Sequence, residues 1–311
     1  MAEKLQGVFA ALTTPFENDK IAKKKFQENI KKYNTFNLTG YVVAGSSGEA
    51  AYLTDEESEI LAKEALEANV SDKKIIAGTA RESTAATITF TNRMADLGIH
   101  AALIRTPSYF KSVMTSEALK RHYWAIADEA KIPVIPYHIP QVTGLTIDQQ
   151  LVVELSKHPN IAGIKDSSGN LAFLGEVIQG LPPDFSYLLG AGSVFLFGLL
   201  LGASGGILRL ADVVPEKCVS LYYDFLEGKW EKSLKLQQEL IPLNNAIIQT
   251  HGIPGAKYAM DLLGFHGGPP RKPILPLGEE AKTDVERILK NLNLINSPTK
   301  SEEQGRAPSS D

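Results

Sequence analysis

Ile161-Ala162-Gly163-Ile164-Lys165-Asp166-Ser167-Ser168-Gly169 opens as an apolar run with β-branched residues. It is enclosed by His158-Pro159-Asn160 on one side and Ser-Ser-Gly on the other. The pattern predicts a short buried strand between two turns. A lysine stands where that strand should end. An ammonium is costly to bury, so Lys165 either reaches water along its own stem or gives up its proton. The first makes it a surface residue. The second makes it a nucleophile towards carbonyls, able to form a Schiff base. This stretch alone leaves both open, and the surface lysine is the more ordinary of the two.

The rhythm of strand, turn and helix continues on both sides. Apolar runs predict strands at Gly7–Thr13, Tyr41–Ala44, Lys74–Gly78, Ala101–Arg105, Pro133–Pro136, Ile161–Ile164, Tyr187–Leu189 and Gly206–Leu210. Between them, helical spacing covers Ile21–Phe36, Thr54–Ala68, Ser83–Leu97, Ser116–Ala130, Ile147–Ser156, Leu171–Gln179 and a segment from Ser193. Thr54 with Glu57 forms a capping box, and Ser116 is read as the cap of its helix. Strict alternation implies a parallel sheet covered by helices, and eight units suit a closed (β/α)8 barrel. An open doubly wound sheet is the rival, but no Gly-x-Gly-x-x-Gly follows the first strand. After Pro215 the pattern is helical at Glu216–Glu227, Lys229–Thr250, Pro254–Leu263 and Glu279–Leu292. The expected organisation is an α/β TIM barrel over 1–214, a C-terminal helical domain over 215–296, and a disordered polar tail over 297–311.

The totals exclude several function classes. The 311 residues are 43% hydrophobic and 22% charged, the profile of an ordinary globular protein. A net charge of −4 without a basic block argues against nucleic acid as a partner. The longest apolar run, near Val194–Leu201, is too short for a membrane span. Cys218 is the only cysteine, so no internal disulfide can form, and no export signal is visible at the N-terminus. A cytoplasmic location is expected.

In such a barrel the C-terminal ends of the strands share one mouth. The strand ends here carry Ser46 and Ser47, Tyr109, Tyr137 and Lys165. That convergence raises Lys165 above a surface lysine. Gly45-Ser46-Ser47-Gly48-Glu49 offers hydroxyls and backbone amides to a carboxylate, though many ordinary turns look alike. Tyr137 beside a Schiff-base lysine can relay protons, although a tyrosine at a strand end more often packs. His138 has no second histidine at ligand spacing and reads as structural. Cys218 reads as buried filler, and no metal or other cofactor is expected.

Five motifs in fixed order carry a family resemblance. They are Thr13-Thr14-Pro15-Phe16, Gly45-Ser46-Ser47-Gly48-Glu49, Thr106-Pro107-Ser108-Tyr109, Tyr137-His138-Ile139-Pro140-Gln141-Val142-Thr143-Gly144 and Gly163-Ile164-Lys165-Asp166-Ser167. From about Gly7 to about Pro276 the chain resembles the dihydrodipicolinate synthase / N-acetylneuraminate lyase family. The resemblance implies a barrel with a C-terminal helical domain, usually a homotetramer. It implies that Lys165 forms an imine with pyruvate or another 2-oxo acid, and that Tyr137 passes protons. Ser46 and Ser47 then hold the 2-oxo acid carboxylate, with Ser167 also counted among the substrate contacts. Tyr109 crosses to a neighbouring subunit and completes the relay through Ser46. The backbone carbonyl of Ile207 lines the lysine site.

Departures from the family's patterns narrow the substrate. The synthases usually carry an arginine where Val142 stands, and the neuraminate lyases usually carry acidic residues where Gly190-Ala191-Gly192-Ser193 stands. This small loop, His158-Pro159-Asn160-Ile161, Gly252-Ile253-Pro254-Gly255 and Gly264-Phe265-His266-Gly267-Gly268-Pro269 look most like 4-hydroxy-2-oxoglutarate aldolases, which yield pyruvate and glyoxylate. Arg209 lies in the eighth apolar run, two residues after Ile207. Inside a barrel it needs an anion. Either Asp212 is its partner, or it points into the mouth and binds an acid-ended substrate bidentately. The expected activity is therefore class I aldol cleavage of a 4-hydroxy-2-oxo acid to pyruvate and an aldehyde. Alternatives at the same imine are a 2-oxo-3-deoxy sugar acid aldolase or dehydratase and the dihydrodipicolinate reaction. A barrel that binds pyruvate without turnover is the reading outside catalysis.

Overall fold

The structure, a computed structural model, describes residues 4–70 and 72–296. The polar segment 297–311 lies outside the described residues. Eight strands form the barrel: β1 Gly7–Ala11, β2 Gly40–Val43, β3 Lys74–Gly78, β4 Ala101–Arg105, β5 Val134–His138, β6 Gly163–Asp166, β7 Ser186–Leu189 and β8 Gly205–Leu208. Each pairs in parallel with the next, and β1 pairs with both β2 and β8, so the ring is closed. The expected (β/α)8 barrel is the fold observed.

Period two divides the strand residues into two cores. Phe9, Val42, Ile76, Leu103, Ile135, Leu188 and Ile207 fill the lumen as one cluster. Their neighbours in sequence, such as Ala10, Val43, Ile104 and Leu208, face the helices in a second, larger cluster. The barrel helices are α1 Lys23–Tyr33, α2 Asp55–Ala68, α3 Thr84–Asp96, α4 Ser116–Glu129, α5 Gln149–Leu155, α6 Leu171–Ile178 and α7 Phe195–Leu200. After β8, α8 Pro215–Leu226 packs against β1. Then come α9 Trp230–Asn245, a π-helical turn Ala246–Thr250, α10 Gly252–Leu262 and α11 Glu279–Asn291. Among the described residues no helix is long and apolar enough to cross a membrane.

Local chemistry explains where the elements begin. Thr54 and Glu57 make the expected capping box on α2, each side chain bonding the other's amide. On α4 the cap is Thr115, whose hydroxyl accepts the Ala118 amide, and not Ser116. Ser116 is free to donate to Asp148 instead. Neighbouring hydroxyl residues are equivalent in composition, and the one with extended backbone takes the cap.

Two expectations change near the mouth. The eighth strand stops at Leu208, so Arg209 is not a strand residue. Its backbone is helical, and its carbonyl accepts the amide of Asp212 at 2.9 Å. The carboxylate of Asp212 accepts the Thr13 amide at 2.9 Å and the Tyr33 hydroxyl at 2.7 Å. Those contacts, made far along the chain, draw residues 209–213 off the sheet into a turn. The stretch Lys229–Thr250 is likewise not one regular helix. It widens at Ala246–Thr250 into a single turn of π-helix, a feature that often accompanies sites.

Candidate active site

The register of the sheet aligns four side chains in one row across the mouth. Arg105 pairs with Tyr137, Tyr137 with Lys165, and Lys165 with Leu188. Because residues alternate, the next register step pairs His138 with Asp166 on the outer face. Sequence therefore puts Tyr137 and Lys165 inside and His138 and Asp166 behind them.

Lys165 lies within β6 and is 5% exposed, so it does not snorkel to the surface. Its ammonium nitrogen sits 4.1 Å from the centre of the Tyr137 ring. Burial pushes its pKa down, Arg209 pushes the same way, and Tyr137 pulls it partly back. Desolvation of the ammonium outweighs the opposing contact with Tyr137, so the pKa of Lys165 lies below the ordinary lysine value. Burial would raise the Tyr137 phenol. The charges of Lys165 and Arg209 and hydrogen bonds with Ser167 and Lys165 outweigh it and hold the phenol below its ordinary value. Ser167 donates to the Tyr137 hydroxyl at 3.3 Å.

The outer pair holds the strand end still. Asp166 accepts from Tyr187 at 2.7 Å and from the amide and hydroxyl of Ser168 at 2.9 Å each, and His138 Nδ1 lies 2.9 Å away. Burial disfavours the Asp166 carboxylate, but these donors keep its pKa below the usual value. His138 thus has the structural position expected of it.

Ser46 and Ser47 follow β2 in a tight turn. Ala44 and Glu49 both have left-handed backbone, with φ 49° and 61°. The amides of Glu49 and Ala50 fold back on the carbonyls of Ser46 and Gly45, at 3.3 and 3.2 Å. Among the described residues the amides of Ser46 and Ser47 have no such partner. The Ser47 hydroxyl accepts from Arg209 Nε at 3.1 Å. Arg209 Nη1 donates to the carbonyl of Ile247, in the π-turn, at 3.1 Å. Asp212 is engaged by Thr13 and Tyr33, so of the two alternatives the Arg209–Asp212 pair does not form, and Arg209 faces the mouth. Among the described residues no carboxylate pairs with either Lys165 or Arg209, so the guanidinium of Arg209 faces the mouth without an anionic partner.

The mouth has two lobes that share Tyr137, Ile139, Val142 and Arg209. The larger lobe, about 560 Å³, holds Ser47, Lys165, Ser167 and Ile207. The other, about 280 Å³, holds Ser46, Arg81 and Arg105. Gly190 is required here: a Cβ on it would lie 1.9 Å from the Ser167 hydroxyl. The small loop Gly190–Ser193 also lets Asn244 of α9 approach the lysine lobe.

Six of the predicted side chains, Ser46, Ser47, Tyr137, Lys165, Ser167 and Arg209, meet at this mouth together with Ile207. Tyr109 does not. It is 78% exposed and stacks edge-on against Phe110, which is also exposed. Its loop is tied down by Glu82, which accepts the amides of Ser108 and Tyr109 at 2.9 Å each. Sequence reasoning missed Arg105, Asn244 and the π-turn carbonyl. Arg105 was legible as a charged strand end. Asn244 and Ile247 sit in an amphipathic helix whose pattern gives no sign of the mouth.

A protein-family model described as the dihydrodipicolinate synthetase family matches residues 4–292. A 4-hydroxy-tetrahydrodipicolinate synthase of Archaeoglobus fulgidus is 36% identical over 292 residues, covering 93% of this chain and 99% of the relative. One from Listeria welshimeri is 33% identical over 289 residues, covering 92% and 98%. Among solved structures, dihydrodipicolinate synthase from Aquifex aeolicus superposes with a TM-score of 0.89 at 29% identity, covering 94% of this chain and all of that one. The chloride-inhibited enzyme of Acinetobacter baumannii, solved in complex with pyruvate, gives 0.89 at 27% identity, covering 95% of this chain and all of that one.

Proposed function

The chain belongs to the dihydrodipicolinate synthetase family, whose members are pyruvate-dependent lyases of the aldolase type, and from that premise we propose a class I aldolase that works through Lys165. The observation that carries the reading is the buried, depressed-pKa amine of Lys165 beside the Tyr137 phenol. A pyruvate-bound relative agrees with it.

The proposed substrate is a 4-hydroxy-2-oxo acid with a second acid group, 4-hydroxy-2-oxoglutarate being the best fit. Lys165 attacks the 2-oxo carbon, water leaves, and the protonated imine becomes the electron sink. The amides and hydroxyls of the Ser46–Ser47 turn hold the 2-oxo acid carboxylate. Tyr137 takes the proton of the 4-hydroxyl, the C3–C4 bond breaks, and the aldehyde, glyoxylate, departs. Protonation of the enamine and hydrolysis then release pyruvate. Arg209, cationic and without a carboxylate partner among the described residues, suits the distal acid group. The reaction as written draws on no metal or organic cofactor.

Names of the relatives favour a second reading, the condensation that forms 4-hydroxy-tetrahydrodipicolinate. Val142 opposes it, because an exposed valine stands where that chemistry expects a guanidinium. A homotetramer in the cytoplasm completes the proposal. The adjacent exposed side chains of Tyr109, Phe110 and Val113 support a subunit contact near the mouth.

Borohydride reduction in the presence of pyruvate tests the chemistry. The expected product is a lactyl-sized mass on the peptide carrying Lys165; a folded protein that gains no mass has a different function. A panel of aldehydes offered with pyruvate then separates glyoxylate from sugar-derived and semialdehyde acceptors.

A further inference from the structure

We propose that Glu49 and Lys257 form a positioning pair through which the C-terminal helices hold the Ser46–Ser47 turn in its carboxylate-binding shape. The proposal rests on reading that turn as the site of the 2-oxo acid carboxylate. Glu49 closes the turn, and Lys257 comes from α10, more than 200 residues later. Their charged groups meet at 2.5 Å, with the residues 2% and 1% exposed. A buried ion pair is a poor means of gaining stability, since apolar side chains of the same volume serve as well. Its value lies in fixing where its two ends stand.

The backbone points the same way. Glu49 has φ 61° and ψ 34°, the left-handed region that side-chain-bearing residues rarely occupy. Such a conformation persists where surrounding contacts over-determine it. Here they do. One carboxylate oxygen faces Lys257, and the other accepts the Arg271 amide at 2.7 Å. Lys257 also donates to the Pro269 carbonyl at 2.8 Å, so segment 269–271 clasps both heads of the pair. The Glu49 amide in turn donates to the Ser46 carbonyl, and Thr14 donates to the Gly48 carbonyl at 2.8 Å. Rotating the Glu49 peptide therefore rotates the peptides that present Ser46 and Ser47.

The test measures the pyruvate concentration that gives half-maximal borohydride trapping on Lys165. Glu49→Ala and Glu49→Gly are each expected to raise it roughly tenfold to a hundredfold, with full trapping retained at saturation. Glu49→Gln, which keeps the shape but only one of the two acceptors, its NH2 group facing a donor, is expected to fall in between. Glycine accepts the left-handed backbone freely, so a wild-type value for Glu49→Gly means that backbone freedom alone shapes the turn and overturns the proposal. An unchanged value for Glu49→Ala overturns it as well. If the truncations do not fold, the double variant Glu49→Gln, Lys257→Met carries the same expectation and the same failure. The wild type separates the two readings. No lactyl adduct there defeats the Schiff-base function itself, whereas an adduct there with indifferent Glu49 variants defeats the positioning role alone.

Discussion

Tyr137 and Lys165 are register partners on adjacent strands, with the lysine nitrogen 4.1 Å from the centre of the phenol ring. Each group moves the other's proton affinity. The tyrosine raises the lysine pKa, and the lysine charge lowers that of the tyrosine, while burial acts on both.

Tyr137→Phe keeps the ring and removes the hydroxyl. The lactyl adduct on Lys165 is expected to form still, while turnover falls by about 10²- to 10⁴-fold, the usual worth of a positioned acid–base group. Loss of the hydroxyl also removes a group that raises the Lys165 pKa, so the acidic limb of the trapping profile should move to lower pH. A folded variant that turns over normally would exclude Tyr137 from proton transfer.

Arg209→Ala has the opposite sign on the same limb. The guanidinium depresses the Lys165 pKa, so its removal moves the limb to higher pH. A charged hydrogen bond to a distal carboxylate is worth about 1.5–3 kcal/mol, which predicts a rise in KM of roughly ten- to a hundredfold for acid-ended substrates. Steady-state kinetics with and without the second acid group reads this. An unchanged KM removes Arg209 from substrate choice.

Lys165→Met abolishes trapping and should not lower stability at neutral pH. The folded-state pKa of Lys165 is depressed below 10.5, so its burial costs stability wherever the unfolded chain holds the extra proton. The methionine variant therefore gains on the wild type at neutral pH, and the gain fades as pH approaches the ordinary lysine range. Denaturant midpoints at pH 7 and near 10 give the comparison. A gain that grows with pH contradicts it.

Asp212 behaves in the reverse sense. Burial raises its pKa from 3.8 to about 6, against the hydrogen bonds from Tyr33 and Thr13. Folding thus favours the neutral acid, and the stability it contributes is complete below about 4 and lost as pH rises through 6. Relative to Asp212→Asn, the wild type should lose stability between pH 4 and 7. Parallel unfolding curves at the two ends suffice to check it, and a flat difference refutes the shift.

The parts of the site legible in sequence are those carried by strands. An apolar run that ends in Lys165 or Tyr137 places the residue at the mouth, and alternation then settles which neighbour faces inward. The ends of β3 and β4 match the expected runs for the same reason. Arg209 was misplaced because its backbone is decided by Asp212 reaching Thr13 and Tyr33, contacts that leave no local pattern. Lys257, Asn244 and Ile247 were invisible as site residues. They come from helices whose apolar spacing is fully explained by packing, and only the tertiary fold brings Asn244 and the Ile247 carbonyl to the mouth and Lys257 against Glu49 behind the serine turn. Tyr109, expected to act through a neighbouring subunit, holds its ring on the exposed surface and away from the mouth of its own chain.

The closure of the ring through β1 and β8 has a consequence for the newborn chain. Until Gly205–Leu208 has been synthesised, β1 lacks one of its two neighbours and the lumen stays open to water. A hydrated Lys165 is an ordinary, protonated lysine. Under the proposed mechanism the amine is primed only on completion of the barrel, so a nascent or broken chain would carry no lysine ready to capture the 2-oxo acids and aldehydes around it.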